Sequence, residues 1–67
     1  MTQVKMLEEY LNTHKGITPI EALNELGIYR LSARIADLRQ SGVAVKTERI
    51  PVKNRFGKTQ RVARYYL

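Results

Sequence analysis

The sequence predicts an α+β domain: three short helices followed by a two-stranded antiparallel β-hairpin. Three observations carry that prediction. Apolar residues recur at helical spacing as far as Leu38. Gly16, Gly27 and Gly42 interrupt that pattern at intervals that fit short helices. From Val43 onward the alternation changes to period two, with Asn54-Arg55-Phe56-Gly57 as a turn between two β-prone runs.

The first helix is read over residues 2–14. Thr2 is placed to cap it, and Val4, Leu7 and Leu11 form its apolar stripe, widened by Met6 and Tyr10. Glu8 and Glu9 face outward. Gly16 supplies a stop just after Lys15, and His14 sits where a side chain meets the negative end of the helix dipole. The second helix has the clearest start signal: Thr18, Pro19 and Glu21 make a capping box with a pre-organised first turn. It runs from Pro19 to about Leu26, with Ile20, Leu23 and Leu26 expected on its buried side, Ala22 against a neighbour and Gly27 closing it. The third helix begins near Tyr29 or Arg30 and runs to about Gln40. Its core stripe is Leu31, Ile35 and Leu38, within roughly 60° on a helical wheel. The short connection through Gly27 makes the second and third helices cross steeply, which is a helix-turn-helix arrangement.

In the strands, Val43, Val45 and Thr47 alternate with Ala44, Lys46 and Glu48, and Ile50 and Val52 continue the β-prone run. Pro51 confines that strand to an edge or a bulge. The return strand, Lys58 to Leu67, turns Ala63, Tyr65 and Leu67 one way and Val62, Arg64 and Tyr66 the other. A lone hairpin is marginal. Its base must therefore pack on the helices, with a short strand near Ile17 available for pairing, while its tip projects and is expected to be mobile.

Sixty-seven residues read as one domain, 1–67, with one small core. Charge is unevenly spread along the chain. Residues 1–28 hold Lys5 and Lys15 against Glu8, Glu9, Glu21 and Glu25, a net of −2. Residues 29–67 hold ten Lys or Arg against Asp37 and Glu48, a net of +8. Such asymmetry concentrates a positive potential, and its natural counter-surface is a phosphate backbone. Basicity that serves solubility alone is the bland alternative.

Two segments are candidate contacts. The third helix presents Tyr29, Ala33, Ala36 and Gln40 opposite its core stripe, with Arg30, Arg34 and Asp37 on one edge and Ser32 and Arg39 on the other. Arg30 is the expected base contact, because a guanidinium matches the guanine O6/N7 edge bidentately. Tyr29, Ser32 and Gln40 are within reach of bases or phosphates, the small Ala33 permits close approach, and Arg34 is assigned to phosphate. A second packing face through Ala33 and Ala36 is the competing reading of this helix. At the hairpin tip, Lys53, Asn54, Arg55, Lys58 and Arg61 surround the turn, a basic protrusion beside a helix-turn-helix, that is, a wing. Arg55 suits a narrow minor groove, and Lys53, Lys58 and Arg61 suit phosphates. Phe56 is expected to pack across the hairpin, the alternative being to stack on or wedge between bases. Lys46, Arg49 and Arg64 are expected to extend the positive strip. Tyr65 is expected in the core, and Tyr66 at phosphate or solvent.

Several function classes are disfavoured. There is no cysteine, and His14 is the single histidine, so no metal site is expected. No carboxylate pair reads as a catalytic dyad, Ser32 and Ser41 lack a placed histidine, and Gly57-Lys58-Thr59 is only the tail of a phosphate loop. The expectation is a protein that is not an enzyme and takes no cofactor. No apolar run is long enough for a membrane span, and early acidic residues argue against a signal peptide, so an intracellular location is expected.

The stretch from Ile17 to Leu67 resembles a known family. It carries Ile17-Thr18-Pro19 with Glu21-Ala22, then Leu26-Gly27-Ile28, Arg30-Leu31-Ser32-Ala33-Arg34-Ile35 and Asp37-Leu38-Arg39. Gly42, Asn54-Arg55-Phe56-Gly57-Lys58 and Arg61-Val62-Ala63-Arg64-Tyr65 complete the pattern. Together these are similar to the small phage- and prophage-borne winged helix-turn-helix DNA-binding domains. The resemblance implies a winged helix-turn-helix fold, DNA binding and a phage or prophage origin, and the expected location is the cytoplasm of a bacterial host, associated with the nucleoid. Repressors, activators and excisionase-like architectural proteins that bend DNA share such scaffolds. One departure bears on the site: with Gly27 as the turn glycine, Ala33 and Ala36 fall where larger core residues are expected, and Leu31, Ile35 and Leu38 take that duty.

The expected function is a double-stranded DNA-binding regulator, with the third helix in the major groove and the basic wing on the backbone or minor groove. The expected partners are double-stranded DNA and further copies of the chain, as a dimer or adjacent on one site. A protein-interaction module meeting an acidic phage or host protein is the alternative from another class, and RNA binding is a third. The DNA reading requires the regions of Arg30 and Arg55 to share one side of the molecule.

Overall fold

A computed structural model describes residues 2–67. Helix α1 spans Gln3–Thr13, and the Thr2 hydroxyl caps it by accepting from the Lys5 amide at 3.2 Å. Leu7 and Leu11 are buried, with Val4 and Tyr10 packed beside them. The helix ends at His14, whose backbone is extended and whose N–H donates to the Tyr10 carbonyl. The His14 ring stacks on Tyr10 with centroids 3.9 Å apart, and its Nδ1 lies 3.1 Å from the same carbonyl. The histidine thus meets the carbonyl end of the helix, as its position predicts.

Gly16 has a different duty from the expected helix stop. The helix ends at Thr13 without it, and Gly16 is buried against the return strand. A Cβ there would lie 2.7 Å from Arg64 Cζ and 2.9 Å from the Tyr65 carbonyl oxygen. The close approach serves the next residue. Ile17 donates to the Tyr65 carbonyl at 2.8 Å and accepts from the Tyr65 amide at 2.9 Å, the short pairing predicted near Ile17.

Helix α2 opens as Pro19–Glu21, and the capping box is formed: the Thr18 amide donates to Glu21 Oε1 at 2.9 Å, and the Thr18 hydroxyl accepts from the Glu21 amide. It continues through a wider π-type turn over Ala22–Leu26, closed by Gly27 at φ +68. The burial of this segment overturns the expectation. Ala22 is fully buried, whereas Ile20 is 62% and Leu23 36% exposed, and Leu26 is half-buried. A wider turn breaks the 3.6-residue period on which the predicted stripe depended. Ile17 and Ile28, just outside the helix, fill the core instead. Ile17 stands where a hydrophobic staple faces Ala22, and Ile28 follows the helix-ending glycine, where an apolar residue packs back.

Helix α3 spans Leu31–Gln40 and buries Leu31, Ile35 and Leu38 as predicted. It starts later than expected: Tyr29 lies in the connection and Arg30 is the N-cap. The first strand also starts later than Val43. Residues 43–45 form a tight turn in which the Val45 amide donates to the Val43 carbonyl, and Val45 is buried. Strand β1 is Lys46–Lys53 and β2 is Thr59–Tyr66, paired antiparallel without a bulge from Lys46↔Tyr66 to Lys53↔Thr59. The far edge of β1 is unpaired, so Pro51 sits on an edge strand. At the tip, the Gly57 amide donates to the Asn54 carbonyl and the Asn54 amide to the Lys58 carbonyl, closing a three-residue loop with Gly57 at φ +77.

The buried apolar residues run from Leu7 to Val45, and none lies within either strand. The hairpin therefore joins the core through its base, in a molecule measuring 38 × 21 × 20 Å. Among the described residues no helix is long and apolar enough to cross a membrane.

Candidate nucleic-acid interface

Burying Leu31, Ile35 and Leu38 turns Ser32, Ala36 and Gln40 outward, an i, i+4, i+8 row on the far side of α3. Ala33 is half-buried rather than fully on that outward side. Arg34 is also half-buried. Its Nε lies 3.0 Å from Asp37 Oδ2 but off the hydrogen-bonding direction, so the contact is Coulombic and offsets part of the charge. Tyr29, 86% exposed, and Arg30 stand at the mouth of α3 rather than on its body. Side chains cap α1 and α2, whereas none caps α3 and no acid occupies its first turn. Free amides, Tyr29, Arg30 and Ser32 thus gather at one end of the helix.

Arg39 has a role that spacing alone did not reveal. Its Nε and Nη2 donate to the Val45 carbonyl at 3.1 and 2.9 Å, and Nη2 donates to Thr47 Oγ1 at 2.7 Å. The guanidinium carbon lies 6.0 Å from the Tyr65 ring centroid. The side chain ties α3 to the base of the hairpin. Arg39→Ala is expected to destabilise the fold by about 1–2 kcal/mol, because the Val45 carbonyl loses two donors. Thermal unfolding checks this, with a drop of roughly 5–15 °C for a domain of this size. Arg39→Lys should restore only part, lacking the planar fork.

The strand register sorts the wing into two faces. Thr47, Tyr65, Arg49, Ala63, Pro51, Arg61, Lys53 and Thr59 share one face by alternation. This is the α3 side, since Tyr65 packs on the core and Arg39 of α3 reaches both Thr47 and Tyr65, whereas α2 borders the other face at Val52 and Val62. Followed toward the tip, it offers Arg49, Arg61 and Lys53, all exposed, and no carboxylate. The other face carries the Glu48–Arg64 ion pair, Lys46 6.0 Å from the Tyr66 ring, and apolar Ile50, Val52 and Val62. Of the three residues expected to extend the positive strip, Arg49 therefore lies on the α3 side. Lys46 and Arg64 lie on the other face and already have partners.

At the tip, Lys53, Arg55, Lys58 and Arg61 are exposed, as expected. Asn54 is half-buried and builds the turn, its Oδ1 accepting from the Phe56 amide at 2.9 Å and the Lys58 amide at 3.1 Å. Phe56 does not pack across the hairpin. It is 80% exposed, because the Asn54 turn and Gly57 hold the apex away from both strands.

Two hollows lie elsewhere. One, of about 300 Å³, is bordered by Met6, Glu9, Tyr10, Thr13, His14 and Leu26. Near it, burial first and then Glu21 and Glu25 push the Tyr10 phenol above its ordinary range. The other, about 350 Å³, is an apolar groove between Thr18, Pro19, Ile20, Val52 and Val62. Sequence reasoning missed it by burying Ile20. The signal was available in Val52 and Val62, which alternation places together on the face away from Arg49. Among the described residues no cluster of His, Cys, Asp or Glu could hold a metal ion.

A family model described as a winged helix-turn-helix domain matches residues 2–67. Comparisons with curated proteins and with solved structures give no significant match.

Proposed function

Because the chain belongs to the winged helix-turn-helix domain family, we propose that it binds double-stranded DNA through α3 and the α3-side face of its wing. The observation that carries this reading is the alignment of Arg49, Lys53 and Arg61 on the face where α3 lies, with no carboxylate among them. The mouth of α3 enters the major groove, Arg30 meets a guanine edge, and the wing holds the neighbouring backbone or minor groove. The protein acts without catalysis or a cofactor. The finer assignment, a phage or prophage regulator acting at the bacterial nucleoid, draws on the resemblance of Ile17–Leu67. One module of this size covers limited surface, so useful specificity calls for a dimer or adjacent copies on one site.

Selection from a random duplex pool, followed by titration of the winning duplex at two salt concentrations, tests the proposal. Binding should weaken steeply with salt. An affinity indifferent to salt, or no enrichment, defeats the reading. Arg30→Ala should lose about 1–3 kcal/mol of discrimination at one base pair while non-specific binding persists. Unchanged specificity would show that another part of α3 reads the groove.

A second reading, a protein-interaction module, is favoured by the apolar groove at Ile20 and Val52. Tight capture of an acidic protein partner with no shift of any duplex would support it over DNA binding.

A further inference from the structure

We propose that Phe56 is a wedge: the wing tip drives its ring between neighbouring base pairs, and the domain thereby bends the duplex it binds. This rests on the DNA-binding reading above and adds a deformation that groove and phosphate contacts alone do not require.

Three observations point to it. The first is exposure. Phe56 is 80% exposed although an apolar groove lined by Val52 and Val62 lies on the same hairpin and does not shelter it. A large aromatic left in water at an apex has its burial still to come. The second is turn geometry. Asn54 Oδ1 accepts from the Phe56 and Lys58 amides, and Gly57 takes the positive φ of the reversal, so local hydrogen bonds favour one apex geometry over the mobility expected of a hairpin tip. A wedge with a favoured geometry loses less conformational freedom when it inserts. The third is charge. Lys53, Arg55, Lys58 and Arg61 surround the ring, and no Asp or Glu occurs after Glu48. An apolar protein pocket would have to desolvate those cations. A base step is apolar on its stacked faces and is flanked by phosphates on both strands, so it fits both the ring and its neighbours.

Insertion unstacks one step, and the resulting bend brings more duplex surface against α3 and the wing. Pyrimidine–purine steps, TA above all, unstack most easily, so the wing should settle where one is present.

The test uses the full chain and the duplex recovered by selection, with 2-aminopurine substituted for its adenines one at a time and dyes at its ends. Anisotropy reports binding, 2-aminopurine emission reports unstacking, and energy transfer between the ends reports bending, the last two at saturating protein. Wild type should brighten 2-aminopurine at one step and shorten the end-to-end distance. Phe56→Ala should bind about tenfold more weakly and lose both signals even at saturation. Phe56→Tyr should keep both. A wild-type complex with flat emission at every position, or a Phe56→Ala complex that still unstacks and bends, overturns the wedge while leaving DNA binding intact. Failure to bind any duplex removes the DNA reading first and the wedge with it. If Phe56→Ala instead breaks a DNA-free self-association and leaves the DNA signals unchanged, the ring serves a protein contact and the wedge is overturned.

Discussion

Replacing Gly16 by alanine is expected to remove about 2 kcal/mol of stability, a large share of what a domain this small has. The added methyl would sit 2.7 Å from Arg64 Cζ and 2.9 Å from the Tyr65 carbonyl oxygen. The guanidinium is the end of a flexible side chain and can move, although moving strains its pairing with Glu48. The carbonyl oxygen cannot move cheaply, because it accepts the Ile17 amide and holds the backbone bridge between Ile17 and Tyr65 of β2. Relief therefore means opening that bridge. Thermal unfolding should drop by roughly 10 °C. Amide exchange should show the Ile17 and Tyr65 N–H groups losing protection while those of α3 keep theirs. A variant as stable as the parent would mean that the Gly16 segment slides without cost.

Changing Arg49, Lys53 and Arg61 together to glutamine is expected to weaken duplex binding by about 10²-fold at moderate salt and to flatten its salt dependence. Three lost phosphate contacts reduce the slope of log K against log salt by about 2.7. The informative control is Lys46→Gln, which removes a cation from the opposite face of the same hairpin, where Lys46 lies beside Tyr66. It should change affinity little. If Lys46→Gln weakened binding as much per charge as the triple variant, net charge rather than a particular face would govern recognition. All four side chains are exposed, so folding should survive both changes.

The helices with a clean period were readable from residue spacing. In α1 and α3 the predicted stripe positions Leu7, Leu11, Leu31, Ile35 and Leu38 are buried and Val4 is half-buried at the edge of the core, because ten or so residues of regular helix fix a face. The hairpin was equally plain, since Asn54 and Gly57 have few other uses in that order. The second helix was misread for a physical reason. After three residues of α-helix it widens into a π-type turn, so extrapolating from Ile20 to Leu23 and Leu26 assigned the wrong face. The candidate site was legible at the level of which segments carry charge. Which face each cation takes depends on strand register, and that separated Arg49 from Lys46 and Arg64. Arg39 looked like one more surface arginine because its partners, Val45 and Thr47, lie in a segment whose path spacing does not determine. For Phe56, local chemistry favoured packing, and only the geometry of the Asn54 turn excludes it.

The open edge of β1 matters most when no duplex is present. An unpaired strand is a template on which a second chain can add and start an aggregate. Here Pro51 leaves that edge without one of its donors, and Lys46, Arg49 and Lys53 outnumber the single carboxylate of the strand, Glu48, which Arg64 already neutralises. Two such edges repel before they can pair, so concentrated protein should stay clear at low ionic strength and turn cloudy as salt screens that excess.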